Sequence, residues 1–185
     1  MTAPDAHQTI NEWIKKYTDS FYNYINNRVF DKTIAKDILQ ETFIAAWKNS
    51  SSFKNDANEK TWLFSILKNK LVDHYRSQAR LMTDITDNSY FFDEADHWTP
   101  HAGPKQWGDA DSSLNKKEFY VVLNHCKTKL TTLQQLTFTM KYIDEYETGF
   151  ICKVLQITTS NYWVIIHRCK LQLRQCLEKN WFNKQ

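Results

Sequence analysis

Thr61-Trp62-Leu63-Phe64-Ser65-Ile66-Leu67-Lys68-Asn69-Lys70-Leu71-Val72-Asp73-His74-Tyr75-Arg76 is the stretch that decides the fold. Leu63, Leu67 and Leu71 recur at every fourth position, and Trp62 and Ile66 stand beside them, so one side of a helix is apolar. Lys68, Asn69, Lys70, Asp73 and Arg76 occupy the positions between. No glycine or proline interrupts the run, and the pattern predicts a helix from about Glu59 to Arg80.

Upstream, Trp13, Tyr17, Phe21, Tyr24 and Ile25 recur at three- and four-residue spacing and predict a helix from about Gln8 to Asn27. Asp31 is placed to cap a second helix that runs to about Asn49. Ser50 to Asp56 is a polar loop with one aromatic, Phe53. Downstream, Thr83 to Asn115 has no helical period and holds four of the chain's six Gly and Pro residues, between Pro100 and Gly108. It reads as a linker. Beyond it, helices are expected at about Leu114–Lys127, Thr132–Tyr142, Glu147–Leu155 and Thr159–Asn180. The last two are joined by Gln156-Ile157-Thr158 alone, the pattern of a helix-turn-helix, with Thr158 or Thr159 as the cap. The expected architecture is all-α: two small helical domains, 1–82 and 114–185, joined by an acidic linker, 83–113.

Composition agrees with this. Three glycines and three prolines in 185 residues cannot supply the turns of a many-stranded sandwich or a βαβ array. An aromatic fraction of 15% is too high for a disordered chain. No apolar run approaches the ~18 residues of a membrane span, and Met1 to Asn11 does not read as a signal peptide. The expected compartment is the cytoplasm, with all four cysteines as reduced thiols.

The net charge of +3 is unevenly spread. Residues 1–82 carry 12 Lys+Arg against 9 Asp+Glu, residues 83–115 carry 1 against 7, and residues 116–185 carry 11 against 5. Two basic ends flank an acidic middle. Basic faces recruit phosphate backbones by Coulomb attraction and counterion release, although a modest excess is also ordinary solvated surface.

Asp37, Gln40, Glu41 and Ile44 share one face of the second helix, while Leu39, Phe43, Ala46 and Trp47 are expected on its core side. The acidic stripe suits a basic partner helix; the plain alternative is a solvated face. On the third helix, Lys68, Lys70, Arg76 and Arg80 interleave with Trp62, Phe64, His74 and Tyr75, with Asn69 and Asp73 one turn apart. Cations for phosphates, rings for unstacked bases and an amide for base edges are what opened DNA requires. Cys126, Cys152, Cys169 and Cys176, with His125 and His167, lack metal-ligand spacing, since no Cys-x-x-Cys pair exists. His97 and His101, near Asp93, Glu94 and Asp96, are a weaker metal candidate. No phosphate loop, nucleophile elbow or zinc-protease motif appears. No cofactor, metal or catalytic residue is expected.

The segment from Asp37 to Trp47, then Phe53, then Thr61 to Arg76 resembles region 2 of bacterial RNA polymerase sigma factors. The likeness is to the small extracytoplasmic-function group, which keeps only regions 2 and 4. Leu130 to Phe138 is similar to the opening of region 4, and Phe150 to Lys170 to its helix-turn-helix. The resemblance covers nearly the whole chain, and it implies a promoter-specificity subunit that is not an enzyme. Its implied partners are promoter DNA and core RNA polymerase, through the clamp of the largest subunit and the flap of the second subunit. An anti-sigma factor is a further implied partner, with no direct membrane insertion.

The roles follow residue by residue. Asp37, Gln40, Glu41 and Trp47 match clamp-docking positions. Phe53, Lys54 and Asn55 open the loop, running to Lys60, that captures a base flipped from the minus-ten element. Lys68, Asn69, Lys70, Asp73, Arg76 and Arg80 match the helix that reads and holds that element. Thr159, Ser160, Asn161, Trp163, His167, Arg168 and Lys170 lie on or near the side facing the minus-thirty-five groove. This second motif departs from the family pattern: Trp163 and Ile165 replace two usual cations and Phe150 a usual Glu, which implies a different set of base contacts. In this family the linker threads the polymerase channels, where Asp84, Asp87, Asp93, Glu94, Asp96, Asp109 and Asp111 would mimic phosphates and Phe91, Phe92, Trp98 and Trp107 would anchor it. The alternative for the linker is a plain tether. Two rivals stand beside the whole reading. A stand-alone helix-turn-helix regulator leaves Asp37 to Arg76 unexplained. A helical metal or thiol enzyme would need the Cys/His set.

Overall fold

The computed structural model describes residues 6–29, 31–50, 53, 58–80 and 116–181. It divides into two units, Met1–Gln78 and Ala79–Gln185. Every regular element among the described residues is a helix.

The first unit holds α1 (Ala6–Asn26), α2 (Lys32–Lys48) and α3 (Glu59–Arg80). Trp13, Tyr17, Phe21 and Ile25 are buried along α1, one every four residues. Opposite them lie Ala35, Ile38, Phe43 and Ala46 of α2, and Leu63, Leu67, Leu71 and Tyr75 of α3. Phe21 sits at the centre, its ring 6.1 Å from Phe43 and 5.9 Å from Phe64. Truncating a ring so enclosed costs about 3–5 kcal/mol. Thr42, fully buried, satisfies its hydroxyl by donating to the Ile38 carbonyl at 2.7 Å.

Local chemistry sets the ends of these helices. Asp31 caps α2 as expected, its Oδ1 accepting from the Thr33 amide at 2.7 Å and the Ile34 amide at 3.4 Å. Asn58 opens α3, its Oδ1 accepting from the Lys60 amide at 2.9 Å. Two expectations fail here. Trp47 is 44% exposed rather than on the core side of α2, because Ala46 and Phe43 take the inward positions. Tyr75 is fully buried, continuing the Leu63–Leu67–Leu71 stripe, so its ring is no platform for a base.

The second unit holds α4 (Lys116–Lys127), α5 (Thr132–Tyr142), α6 (Thr148–Leu155) and α7 (Thr159–Asn180). A capping box opens α5: Thr131 Oγ1 accepts from the Gln134 amide, and Gln134 Oε1 accepts from the Thr131 amide. Glu147, expected inside α6, is instead its N-cap residue, with no side-chain capping bond. Gln156 closes α6 in the left-handed conformation, at φ 57°. Thr158 caps α7, its hydroxyl accepting from the Asn161 amide at 3.2 Å. The three-residue turn between α6 and α7 thus has its own stop and start signals. Cys126, Leu130, Ile165, Cys169, Leu173 and Leu177 form a buried cluster that joins α4 to α7, with Leu133 and Phe138 of α5 and Ile157 of the turn packed against it.

A disulfide links Cys126 to Cys176, with Cα atoms 5.7 Å apart. This corrects the expectation of four reduced thiols. The argument from compartment ignored geometry: the α4–α7 packing brings the two side chains to bonding distance. Cys152 and Cys169 are free.

Candidate nucleic-acid interface

On α2, Asp37, Gln40 and Glu41 are all exposed. Trp47 and Ile44, 44% and 41% exposed, extend that face rather than the core. Together with Ile10, Ile14, Leu39 and Phe43 they line a groove of about 480 Å³ between α1 and α2, edged by Gln40 and Lys36. An acidic stripe beside an open apolar groove is a docking surface in form: the groove supplies buried area and the carboxylates supply charge complementarity.

The face of α3 opposite the core carries Asn69, Asp73, Arg76 and Arg80, with half-buried Trp62 one turn and more upstream on the same side. Arg76 Nη1 donates to Asp73 Oδ1 at 2.8 Å. Lys68 and Lys70 flank this strip from either side. Lys68 Nζ stands 5.3 Å from the centre of the Phe64 ring, and Lys70 Nζ pairs with Glu41 Oε2 of α2 at 3.1 Å. A residue assigned to the polymerase face thus touches one assigned to the DNA face. His74 is half-buried, and burial holds its imidazole below the usual histidine value, so it adds no cation near neutral pH.

Phe53 is half-buried and packs edge-on to Trp13 at 5.7 Å and 5.1 Å from Trp62. Lys54 and Asn55 lie outside the described residues, as do all the linker residues named above and His97 and His101. Trp13 of this trio is held by Glu59, which the sequence reading missed. Glu59 accepts from Trp13 Nε1 at 2.9 Å and from the Tyr17 hydroxyl, and forms an ion pair with Lys16. The Lys16 ammonium, then the Tyr17 hydroxyl, hold its carboxyl below the usual range. Trp13, Lys16 and Tyr17 at i, i+3 and i+4 were the available signal.

A carboxylate so held stabilises the fold above its unfolded pKa, and loses that contribution as pH falls through its lower folded pKa. Glu59→Gln is therefore expected to cost about 1.5 kcal/mol at neutral pH, the lower end of the range for hydrogen bonds to a charged group. The difference should shrink toward zero as pH falls below the ordinary carboxylate range. Thermal unfolding of both proteins against pH measures this; a pH-independent difference would refute it.

In the second unit, Thr159, Ser160, Asn161, Trp163, His167 and Lys170 are exposed on α7, and Arg168 is half-buried. Tyr162, Ile165 and Ile166 turn inward. Lys170 Nζ is 5.7 Å from the centre of the Tyr142 ring. The replacement of a usual cation by Ile165 is explained by burial: at 4% exposure it belongs to the core. Among the described residues no group of three or more His, Cys, Asp or Glu is placed to hold a metal ion. Cys169 lies buried with its thiol donating to the Gln134 carbonyl, and burial pushes its pKa up to about 12. Such a thiol is no nucleophile at neutral pH.

The arrangement defines a class: a two-unit helical protein with a basic helix-turn-helix and, on its other unit, an acidic groove face beside a cationic helix face. The Sigma-70 region 2 family matches residues 13–81. A protein of Haemophilus influenzae described as a probable RNA polymerase sigma factor is 34% identical over 151 residues, covering 79% of this chain and 78% of its own. The extracytoplasmic-function sigma factor SigX of Bacillus subtilis is 26% identical over 162 residues, covering 88% and 80%. The solved structure of the sigma factor RpoE with the anti-sigma factor NepR, from Bartonella quintana, is 19% identical, covering 94% of this chain and 99% of that one, with a TM-score of 0.42. The chain belongs to the RNA polymerase sigma factors, in the extracytoplasmic-function group. Its function is that of the family: it binds core RNA polymerase, recognises promoter DNA and promotes initiation of transcription. No helix among the described residues is long and apolar enough to cross a membrane.

Proposed function

We propose that the two units divide the promoter between them. Asp37, Gln40, Glu41 and Trp47 dock on the clamp of the largest polymerase subunit, with the apolar groove of α1 and α2 taking the clamp's apolar side chains. Asn69, Asp73, Arg76 and Arg80, flanked by Lys68 and Lys70, hold the minus-ten element. The observation that carries this is the α3 strip: an amide, a carboxylate and two guanidiniums run along the face opposite the core, in line with Trp62. Phe53, Lys54 and Asn55 receive a base flipped from the stack. Flipping costs a few kcal/mol of unstacking, and binding of the base offsets it, so strand opening needs no nucleotide hydrolysis by this subunit.

The second unit lies on the polymerase flap and sets α7 in the major groove of the minus-thirty-five element, with Arg168 and Lys170 toward phosphates. The acidic linker occupies a polymerase channel meant for nucleic acid. The chain has no active site of its own, works in the cytoplasm, and is held in check by an anti-sigma factor that covers its docking surfaces. Sizing-column co-elution of the purified chain with core RNA polymerase, followed by transcription in vitro, tests the reading. Stoichiometric co-elution and promoter-dependent transcripts are expected. A folded chain that stays separate from core polymerase refutes it.

A further inference from the structure

The first stretch of α7, Thr159 to His167, contains no lysine or arginine; the first cation of the helix is Arg168. The N-terminal residues of a recognition helix are the ones that reach base edges. Guanine is read best by arginine or lysine reaching O6 and N7, and this stretch has no side chain for that contact. It presents instead the hydroxyls of Thr159 and Ser160, the Asn161 amide, the His167 imidazole and two apolar groups. Trp163 is 56% exposed and Val164 42%, although Tyr162 beside them is fully buried.

Ser160, Val164 and His167 follow at i, i+4 and i+7, on the side away from the buried row of Tyr162, Ile166 and Cys169. Trp163 adjoins that row one position back, above Lys170 at i+7. The apolar pair therefore lies in the middle of the surface that the reading above sets against DNA. Residues 116–185 carry 11 Lys+Arg against 5 Asp+Glu, so the charge of the unit suits a polyanion. In the major groove, the apolar group that a base offers is the C5 methyl of thymine. Water removed from an exposed apolar side chain and from a methyl group together is favourable, and the contact disfavours cytosine, which has only a hydrogen at C5 and an amino donor on the neighbouring C4.

We propose that Trp163 and Val164 read thymine methyl groups, so that the upstream promoter element is recognised through A·T pairs. This rests on α7 entering the major groove, and the test separates the two. The full chain bound to core RNA polymerase is used to enrich duplexes from a pool randomised over the upstream segment, with core polymerase alone as control. The enriched duplexes are then remade with deoxyuridine for thymidine, which removes the methyl and nothing else. A·T-rich segments are expected, with affinity falling about fourfold for each contacted methyl removed. The Trp163→Ala, Val164→Ala double variant should bind thymidine and deoxyuridine duplexes alike. Enriched segments that the unaltered chain binds equally with deoxyuridine overturn the thymine assignment and leave groove entry standing. Failure to enrich any upstream segment over the control overturns both.

Discussion

Changing Gln40 and Glu41 together to lysine is expected to abolish stoichiometric co-elution with core RNA polymerase while leaving helix content unchanged. Both side chains are exposed, beside the apolar groove of α1 and α2. Within the fold, Glu41 pairs with Lys70 at 3.1 Å, and these side chains are 60% and 31% exposed. A pair that wet contributes about 0–1 kcal/mol, so its loss does not unfold the unit. At the docking face the effect is larger. Like charges brought together across an interface cost several kcal/mol, and about 1.4 kcal/mol is tenfold in affinity. Binding should fall by more than about a hundredfold on that scale. One control decides whether the cause is docking or the internal pair. Combining Glu41→Lys with Lys70→Glu restores opposite charges between α2 and α3 but keeps the docking face reversed. That variant should still fail to bind. Recovery would mean that Glu41 acts by holding Lys70, and unimpaired binding of the double lysine variant would remove the clamp assignment altogether.

The helices were legible because their apolar residues follow one period without interruption. Leu63, Leu67 and Leu71 mark α3 from Glu59 to Arg80, and Asp31 and Thr158 mark two helix starts that their capping bonds realise. Errors came where periodicity left a choice. Trp47 stands next to Ala46, at the edge of the apolar stripe, and spacing alone grouped it with the core side. The smaller Ala46 is fully buried there, and the indole remains on the surface. Tyr75 extends the leucine stripe by one more turn, so its burial was readable, but its place among cations suggested a different role. The Glu59 cluster was readable only on one side: Trp13, Lys16 and Tyr17 share a face of α1, but nothing in the spacing joins them to Glu59, more than forty residues away. The candidate site divides the same way. Which side chains of α2, α3 and α7 are exposed follows from helix geometry, whereas the Glu41–Lys70 pair and the groove exist only once α1, α2 and α3 are packed.

The disulfide is the feature that sequence reasoning reversed, and it carries the second large effect. Four cysteines allow several pairings, and spacing does not choose among them. The fold pairs Cys126, near the end of α4, with Cys176, late in α7, across 50 residues. Closing a loop of that length in the unfolded chain stabilises the folded unit by about 4 kcal/mol on the loop-entropy account. A small domain has only about 5–15 kcal/mol in total, and for one of this size each kcal/mol moves the unfolding midpoint by roughly 4–8 °C. Reduction by dithiothreitol, which delivers two electrons and two protons and leaves two thiols, is thus expected to lower the midpoint of the second unit by roughly 20 °C. Cys126 is 1% exposed and Cys176 half-buried, so attack must come at the Cys176 side. Cys176→Ser should melt where the reduced chain melts and should not respond to dithiothreitol. An unchanged midpoint after two additional thiols have been titrated would refute the stabilisation, and four titratable thiols in the unreduced, denatured chain would refute the disulfide. The consequence reaches α7, because Cys126 shares its cluster with Ile165, and Ile157 of the turn packs on the same residues. A chain that keeps this link holds α7 on a pinned scaffold. A chain that loses it depends on the apolar contacts of α4 and α7 alone, and its affinity for upstream DNA should weaken in step with the loss of the fold.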